Sequence, residues 1–224
     1  MTLQQIHTHQ QRKRLVLVLL FFTLLCIGIG AVRIVYTKDI KGVFLVWNLF
    51  LAWIPLLIGY SIKQNKIHPI KFGLVFLTWL LFLPNAPYII TDLIHLSPRG
   101  SVPIWFDAIV IFLFAFHGLI LGIISTFFIH ELLEKYFTKK IVWCFLISSF
   151  ILCGFGVYLG RFLRWNSWDI ITQPISLFQE SLLMLSNPIA IVVTGIFSLI
   201  MFTSYLLFHQ LIHLKSNVYD SKIH

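Results

Sequence analysis

The third apolar run of the chain ends in the sequence FLPNAPYIITDLIHL, residues 82–96. The apolar stretch 70–83 is too short to cross a bilayer alone, because a spanning helix needs about 20 residues. Continuing through Pro84 and Pro87 gives a full crossing. Proline lacks an amide hydrogen and clashes with the preceding turn, so these two residues predict a break in the helix. We expect the Asn85 side chain to hydrogen-bond carbonyl groups that the break frees.

The other apolar runs predict uninterrupted spanning helices. Charged residues make up only 11% of the 224 residues and apolar residues 58%, which is typical of a chain whose solvent is the bilayer. The predicted fold class is an all-α polytopic membrane protein with six transmembrane helices, the third broken at its prolines. The predicted spans cover residues 15–36, 43–62, 70–90, 104–129, 141–159 and 188–208.

The distribution of basic residues predicts that both termini are cytoplasmic. With that orientation the inner side collects eleven of the 17 Lys and Arg residues and the outer side six. The predicted organisation is a cytoplasmic tail 1–14, a single transmembrane domain 15–208 and a cytoplasmic tail 209–224. Two long loops, 91–103 and 161–187, then lie outside. Apolar residues recur at helical spacing in the second loop and predict a helix in the membrane interface: Ile175, Phe178, Leu182 and Leu185.

The net charge of +9 does not indicate a nucleic-acid partner. The basic residues stand in short clusters at the ends of apolar runs, where they meet anionic lipid headgroups. The predicted partner is therefore the lipid bilayer.

A second polar segment, GRFLRWNSWD, residues 160–169, follows the fifth span. If the helix continues through it, Arg161, Arg164, Trp165 and Trp168 share one face. Guanidinium groups bind phosphate or carboxylate through paired donors, which favours an anion site. The alternative is a belt of interfacial tryptophans with arginines reaching to the headgroups, an arrangement that does not explain Asp169.

Asp107 lies only a few residues inside the fourth span, where an unpaired acid is costly. We predict that Arg161 or Arg164 is its partner. His117, deeper in the same span, is expected to hydrogen-bond a neighbouring helix. Two glycine pairs have the spacing that lets helices approach closely, and we expect them to serve packing: Gly118 with Gly122, and Gly156 with Gly160.

Familiar catalytic signatures are missing from the sequence. His130-Glu131 resembles the start of a zinc-protease helix, but Glu134 stands where the second histidine belongs. Asp92, His95 and Asp107 have side chains suited to a divalent cation, yet their spacing is a weak signal and no metal site is predicted. The sequence identifies no cofactor.

At the two polar segments the chain resembles the bacterial integral-membrane family known as domain of unknown function 1361. The resemblance is carried by LPNAPY at 83–88 with TDL at 91–93, and by GRF at 160–162 with RWNSWD at 164–169. It implies a multi-pass bacterial membrane protein and brings no established activity or catalytic residue. The predicted location is the bacterial cytoplasmic membrane.

Three functions are compatible with these residues. The preferred hypothesis is a pocket at the outer face that binds an anionic headgroup or an envelope precursor. The alternatives are a transferase or hydrolase acting on a lipid-linked substrate, with Asp92 or His95 as general base, and a small transporter using the broken helix. The candidate ligand-binding residues are Asn85, Asp92, His95, Asp107, Arg161, Arg164, Trp165, Asn166, Trp168 and Asp169.

Overall fold

The computed structural model describes residues 3–38, 40–62, 68–96 and 103–220 of the chain. Two short 3₁₀ segments, Ile40–Gly42 and Ile89–His95, accompany the α-helices of these ranges. The α-helices are α1 (Leu3–Thr37), α2 (Val43–Ser61), α3 (Pro69–Phe82), α4 (Asn85–Tyr88), α5 (Ile104–Leu133), α6 (Lys139–Phe162), α7 (Asp169–Thr172), α8 (Pro174–Met184) and α9 (Pro188–Asp220).

The described residues contain six helical segments that are long and apolar enough to cross a membrane, which confirms the predicted fold class. The segments are Gln10–Thr37, Val43–Ser61, Pro69–Ile94, Ile104–Leu133, Lys139–Phe162 and Pro188–Ile212. The third reaches beyond residue 90 because the 3₁₀ segment prolongs it, so the predicted loop 91–103 begins inside helical structure. Several basic residues used for orientation, Lys63, Lys66, Arg99 and Lys222, lie outside the described residues. Orientation stays a prediction, and "outer end" below follows it.

The third span breaks between α3 and α4, at Leu83 and Pro84. The Asn85 side-chain amide donates to the Phe82 carbonyl at 2.9 Å, as predicted. The hydroxyl of Ser167, from the loop after α6, donates to the Leu81 carbonyl at 3.0 Å. Carbonyl groups at the break therefore find partners inside the protein, which a polar backbone group in hydrocarbon requires.

Two glycines of α5 let the broken segment approach closely. A Cβ on Gly118 would stand 2.7 Å from the Ala86 carbonyl oxygen, and a Cβ on Gly122 would stand 2.7 Å from the Ala86 Cβ. Real Cβ atoms do not come that close to other heavy atoms, so α4 lies directly on the glycine backbone.

The glycines of α6 hold the opposite side of the same segment. A Cβ on Gly156 would lie 2.5 Å from Pro84 Cγ, and one on Gly160 would lie 3.2 Å from Tyr88 Cε2. The expectation that the two glycine pairs serve packing is confirmed. Both pairs pack against α4 and the residues next to it.

The loop after α6 contains the helix that the apolar spacing predicts, as α8. Its apolar residues Ile175, Phe178 and Leu182 are all more than half exposed, as expected for a helix facing lipid. Its placement in the membrane interface stays a prediction. Asn187 then caps α9, since its side-chain oxygen accepts the amides of Ile189 and Ala190.

His117 forms the predicted contact between helices. Its Nε2 lies 2.8 Å from the hydroxyl oxygen of Thr23 on α1, which also accepts a hydrogen bond from the Trp53 indole at 3.0 Å. The Thr23 hydroxyl therefore links α1 to His117 of α5 and to Trp53 of α2.

Replacing Gly156 by alanine should destabilise the fold. The added methyl group meets the rigid Pro84 ring, and relief of such a clash in a packed interior typically costs about 1–3 kcal/mol. Gly73→Ala on α3 is the matched control, because no atom lies within 4 Å of its added Cβ. Thermal unfolding in mild detergent should show a lower midpoint for Gly156→Ala alone. Equal midpoints in the two variants would contradict the close packing.

Candidate functional site

A buried ion pair joins the two polar segments of the sequence. Arg161, in the last turn of α6, binds Asp92 of the 3₁₀ segment through its Nη2, and its Nε donates to the Thr91 hydroxyl at 2.6 Å. Asn48 of α2 donates to the second oxygen of Asp92 at 3.0 Å. The side chains of Asp92 and Arg161 are only 2% and 13% exposed. Both carboxylate oxygens of Asp92 are therefore engaged in the protein interior.

The Arg161 guanidinium also lies over the Tyr88 ring, 4.7 Å from its centroid. Gly160, one residue earlier, packs close to the same ring, since a Cβ at this position would lie 3.2 Å from Tyr88 Cε2. The glycine contact and the charge contact thus fix Tyr88 together. This arrangement is a clamp between α6 and the broken third span, and it uses the donors of Arg161 for structure.

Asp107 has an ion-pair partner, as predicted, but the prediction that this partner is Arg161 or Arg164 is wrong. Arg33 of α1 forms a paired contact with it, at 2.8 Å from Nε to Oδ1 and 3.0 Å from Nη2 to Oδ2. At the other end of α1, Arg12 binds Glu131 at 2.6 Å. Ion pairs therefore attach both ends of α1 to α5, and Asp107 belongs to helix packing.

The predicted shared face of Arg161, Arg164, Trp165 and Trp168 is also wrong. The helix ends at Phe162, and Arg164 takes a left-handed backbone conformation with φ of 61°. The Trp165 amide turns back to the Leu159 carbonyl at 3.2 Å. The exposed Arg164 side chain makes no hydrogen bond or ion pair with the described residues.

Asp169 organises its own loop instead of meeting the arginines. Its carboxylate accepts the Asn166 amide at 2.7 Å, the Asn166 side chain at 3.2 Å and the Thr172 hydroxyl at 3.0 Å. The backbone hydrogen bond from Asn166, with smaller help from the two side chains, holds the pKa of Asp169 below its ordinary value. Of Asp92, Asp107 and Asp169, only Asp92 therefore pairs with one of these two arginines, Arg161, within the described residues.

A cavity of about 540 Å³ opens beside the break at the outer end. Its apolar walls come from α2, α3, α6 and α8. Its polar groups come from α2, α3, the break and the loop after α6. Leu77 and Leu152 on its wall are more than half exposed, so the cavity is open at the side of the helix bundle. The lining residues are Trp47, Asn48, Leu51, Leu77, Thr78, Leu80, Leu81, Pro84, Asn85, Tyr88, Leu152, Gly156, Leu159, Gly160, Trp165, Asn166, Ser167, Trp168, Ile170 and Leu177.

The family model described as "Protein of unknown function (DUF1361)" matches residues 47–218. The chain belongs to this DUF1361 family. No curated protein matches it, and no solved structure matches it. The matched range begins in the α2 wall of the cavity and includes the whole clamp.

Only some of the predicted site residues of this DUF1361 protein line the cavity: Asn85, Trp165, Asn166 and Trp168. Asp92 and Asp107 are engaged by different arginines. The side chain of His95 lies outside the described part of the chain. Where side chains are described, no three His, Cys, Asp or Glu residues group closely enough to hold a metal ion.

Sequence reasoning missed four polar side chains at the cavity: Asn48, Thr78, Tyr88 and Ser167. The Ser167 hydroxyl accepts from Asn85 at 3.1 Å, so the two polar segments meet here as well. The side-chain oxygens of Asn48 and Asn85 accept no hydrogen bond from described residues. A single asparagine in an apolar run, such as Asn48, is itself a signal, because a polar side chain at that depth needs a partner.

Replacing Asp92 by alanine should cost more stability than replacing Asp107. The first change leaves Arg161 buried without its carboxylate, which typically costs about 3–5 kcal/mol. The Arg33–Asp107 pair is the comparison, since its side chains are more exposed, at 17% and 19%, than those of Arg161 and Asp92, at 13% and 2%. Unfolding midpoints of the two purified variants compare them. A greater loss for Asp107→Ala would show that Arg161 does not hold the outer end.

Proposed function

We propose that this protein binds a membrane lipid with an anionic headgroup, such as an envelope precursor, in the cavity at its outer end. The observation that carries the proposal is a single open cavity that combines an apolar wall with a polar rim. An amphipathic molecule meets both kinds of surface at once.

The wall suits a hydrocarbon chain. Leu77, Leu80 and Leu152 face the cavity from α3 and α6, and the sideways opening gives a chain direct entry from the bilayer. A lipid that enters this way leaves its tail among apolar residues and brings its headgroup to the rim. No passage of the headgroup through hydrocarbon is needed.

The rim suits a headgroup that carries both charge and hydroxyl groups. Arg164 is exposed and directly precedes the rim residue Trp165. Its guanidinium offers paired donors for phosphate oxygens. The side-chain oxygens of Asn48 and Asn85 offer acceptors for hydroxyl groups.

The left-handed backbone of Arg164 adds to this argument. A residue with a Cβ pays about 1–2 kcal/mol for that conformation, and glycine would adopt it without cost. Strained positions of this kind cluster at binding sites. Here the turn leaves an exposed arginine one residue before Trp165, which lines the cavity.

The alternative of a membrane enzyme draws less support from the geometry. Asp92, the proposed general base, has both oxygens engaged by Arg161 and Asn48. The alternative of a transporter relies on a mobile broken helix, whereas glycine backbone packs against both sides of α4. Lipid binding uses the cavity without removing either contact.

Replacing Arg164 by lysine should weaken retention of anionic lipid about tenfold, the equivalent of one charge-assisted hydrogen bond. Lysine keeps the charge but loses the paired donors. Arg164→Gly should lose retention further while unfolding at the same or a higher temperature, because glycine relieves the backbone strain. Mass spectrometry of the lipids that copurify with each variant measures retention.

Leu77→Trp and Leu74→Trp form a matched pair for the cavity itself. The two leucines lie one turn apart on α3 and are equally exposed, at 62%, but only Leu77 lines the cavity. Tryptophan at 77 should displace the lipid and tryptophan at 74 should not. Normal retention of anionic lipid in both Arg164→Lys and Leu77→Trp, with normal expression, would contradict the proposal.

A further inference from the structure

A second cavity, of about 380 Å³, continues the first one toward the inner end of the bundle. It lies between α3 and α6, and Leu80 and Leu152 line both cavities. The two spaces therefore adjoin. Together they form one groove along the side of the bundle, which we call the α3–α6 groove.

The groove follows a single face of α6. Gly160 lines its outer end, Leu152 lies where the two cavities meet, and Cys144 lines its inner part. These residues span 16 positions of one helix, or about 24 Å at about 1.5 Å per residue. The hydrocarbon core of a bilayer is about 30 Å thick, so one leaflet accounts for about 15 Å. The groove is longer than one leaflet.

Most of the polar groups lie in the outer part of the groove. The inner part is lined by apolar residues such as Phe76 and Phe145, together with Cys144 and two serines. The hydroxyl of one of these, Ser149, bonds to the Phe145 carbonyl of its own helix. The groove thus offers a headgroup site at one end and a long apolar track behind it.

We infer that the groove binds a lipid with a single chain longer than one leaflet, the class of polyprenyl phosphates, with the phosphate at the outer rim. A diacyl lipid anchored at that rim extends only to the bilayer midplane and leaves the track around Cys144 unfilled. A polyprenyl chain follows the whole track. This inference rests on the proposed function and specifies the chemical class of its lipid.

Photocrosslinking tests where the two ends of such a lipid lie. Two probes are made from undecaprenyl phosphate, one with a diazirine close to the phosphate and one with a diazirine at the far end of the chain. Each is added to the full-length protein in phosphatidylcholine nanodiscs, and the crosslinked peptides are identified by mass spectrometry. The first probe should label the peptide that contains Arg164 and Trp165. The second should label α6 around Cys144 and Phe145.

Two substitutions at the same depth on α6 provide the control. Ser148 is exposed and lines the groove, whereas Ile147 is exposed on a different side, toward α9. Ser148→Trp should reduce labelling by the chain-end probe at least about fivefold, and Ile147→Trp should leave it unchanged. Both side chains lie outside the packed core, so both variants are expected to fold.

The two probes separate the inference from the proposed function. Labelling near Trp165 by the first probe, with the second probe found equally on all lipid-facing helices, would overturn the long-chain inference and leave headgroup binding intact. Competition experiments give a second test. If phosphatidic acid competes with the first probe as strongly as unmodified undecaprenyl phosphate does, the long-chain inference is overturned and headgroup binding is left intact. Absence of specific labelling by both probes would overturn the inference together with headgroup binding.

Discussion

The close approach of the broken third span to glycine backbone on two sides is the constraint on which the outer end of this protein depends. Gly118 and Gly122 of α5 admit Ala86, and Gly156 and Gly160 of α6 admit Pro84 and Tyr88. Van der Waals contact at this range is a main source of helix association in a membrane, where burial of apolar surface contributes little. Because α4 is fixed in this way, the following 3₁₀ segment presents Asp92 to Arg161.

The charged residues near the outer end fall into two groups, those paired between helices and Arg164. Arg161, Asp92, Arg33 and Asp107 neutralise one another between helices, as charges within a membrane must. Arg164 stands outside these pairs, one residue before Trp165, which lines the cavity beside the break. The division explains how one short segment carries both a structural arginine and the arginine we assign to ligand binding.

Much of the fold follows from local signals in the sequence. Long apolar runs predict the six spans, Pro84 and Pro87 predict the break, and the glycine spacing predicts the close contacts. Two features needed information that lies beyond local sequence. The choice of Arg33 over Arg161 or Arg164 for Asp107 depends on which helices are neighbours, which hydropathy does not determine. The end of α6 depends on a left-handed Arg164, at a position where glycine would have been the recognisable signal. The candidate site was therefore only partly predictable, and its cavity emerged from the packing of helices far apart in sequence.

The central claim is that a lipid occupies the α3–α6 groove with its headgroup at the outer rim. Electron cryomicroscopy of the protein in nanodiscs that retain its native membrane lipids tests it most directly. The account predicts an elongated density from the rim near Asn85 and Asn166, past Leu80 and Leu152, to Cys144, and stronger than the density of surrounding lipid. A groove closed by side chains, or filled only by the weak density seen around the rest of the bundle, would contradict it.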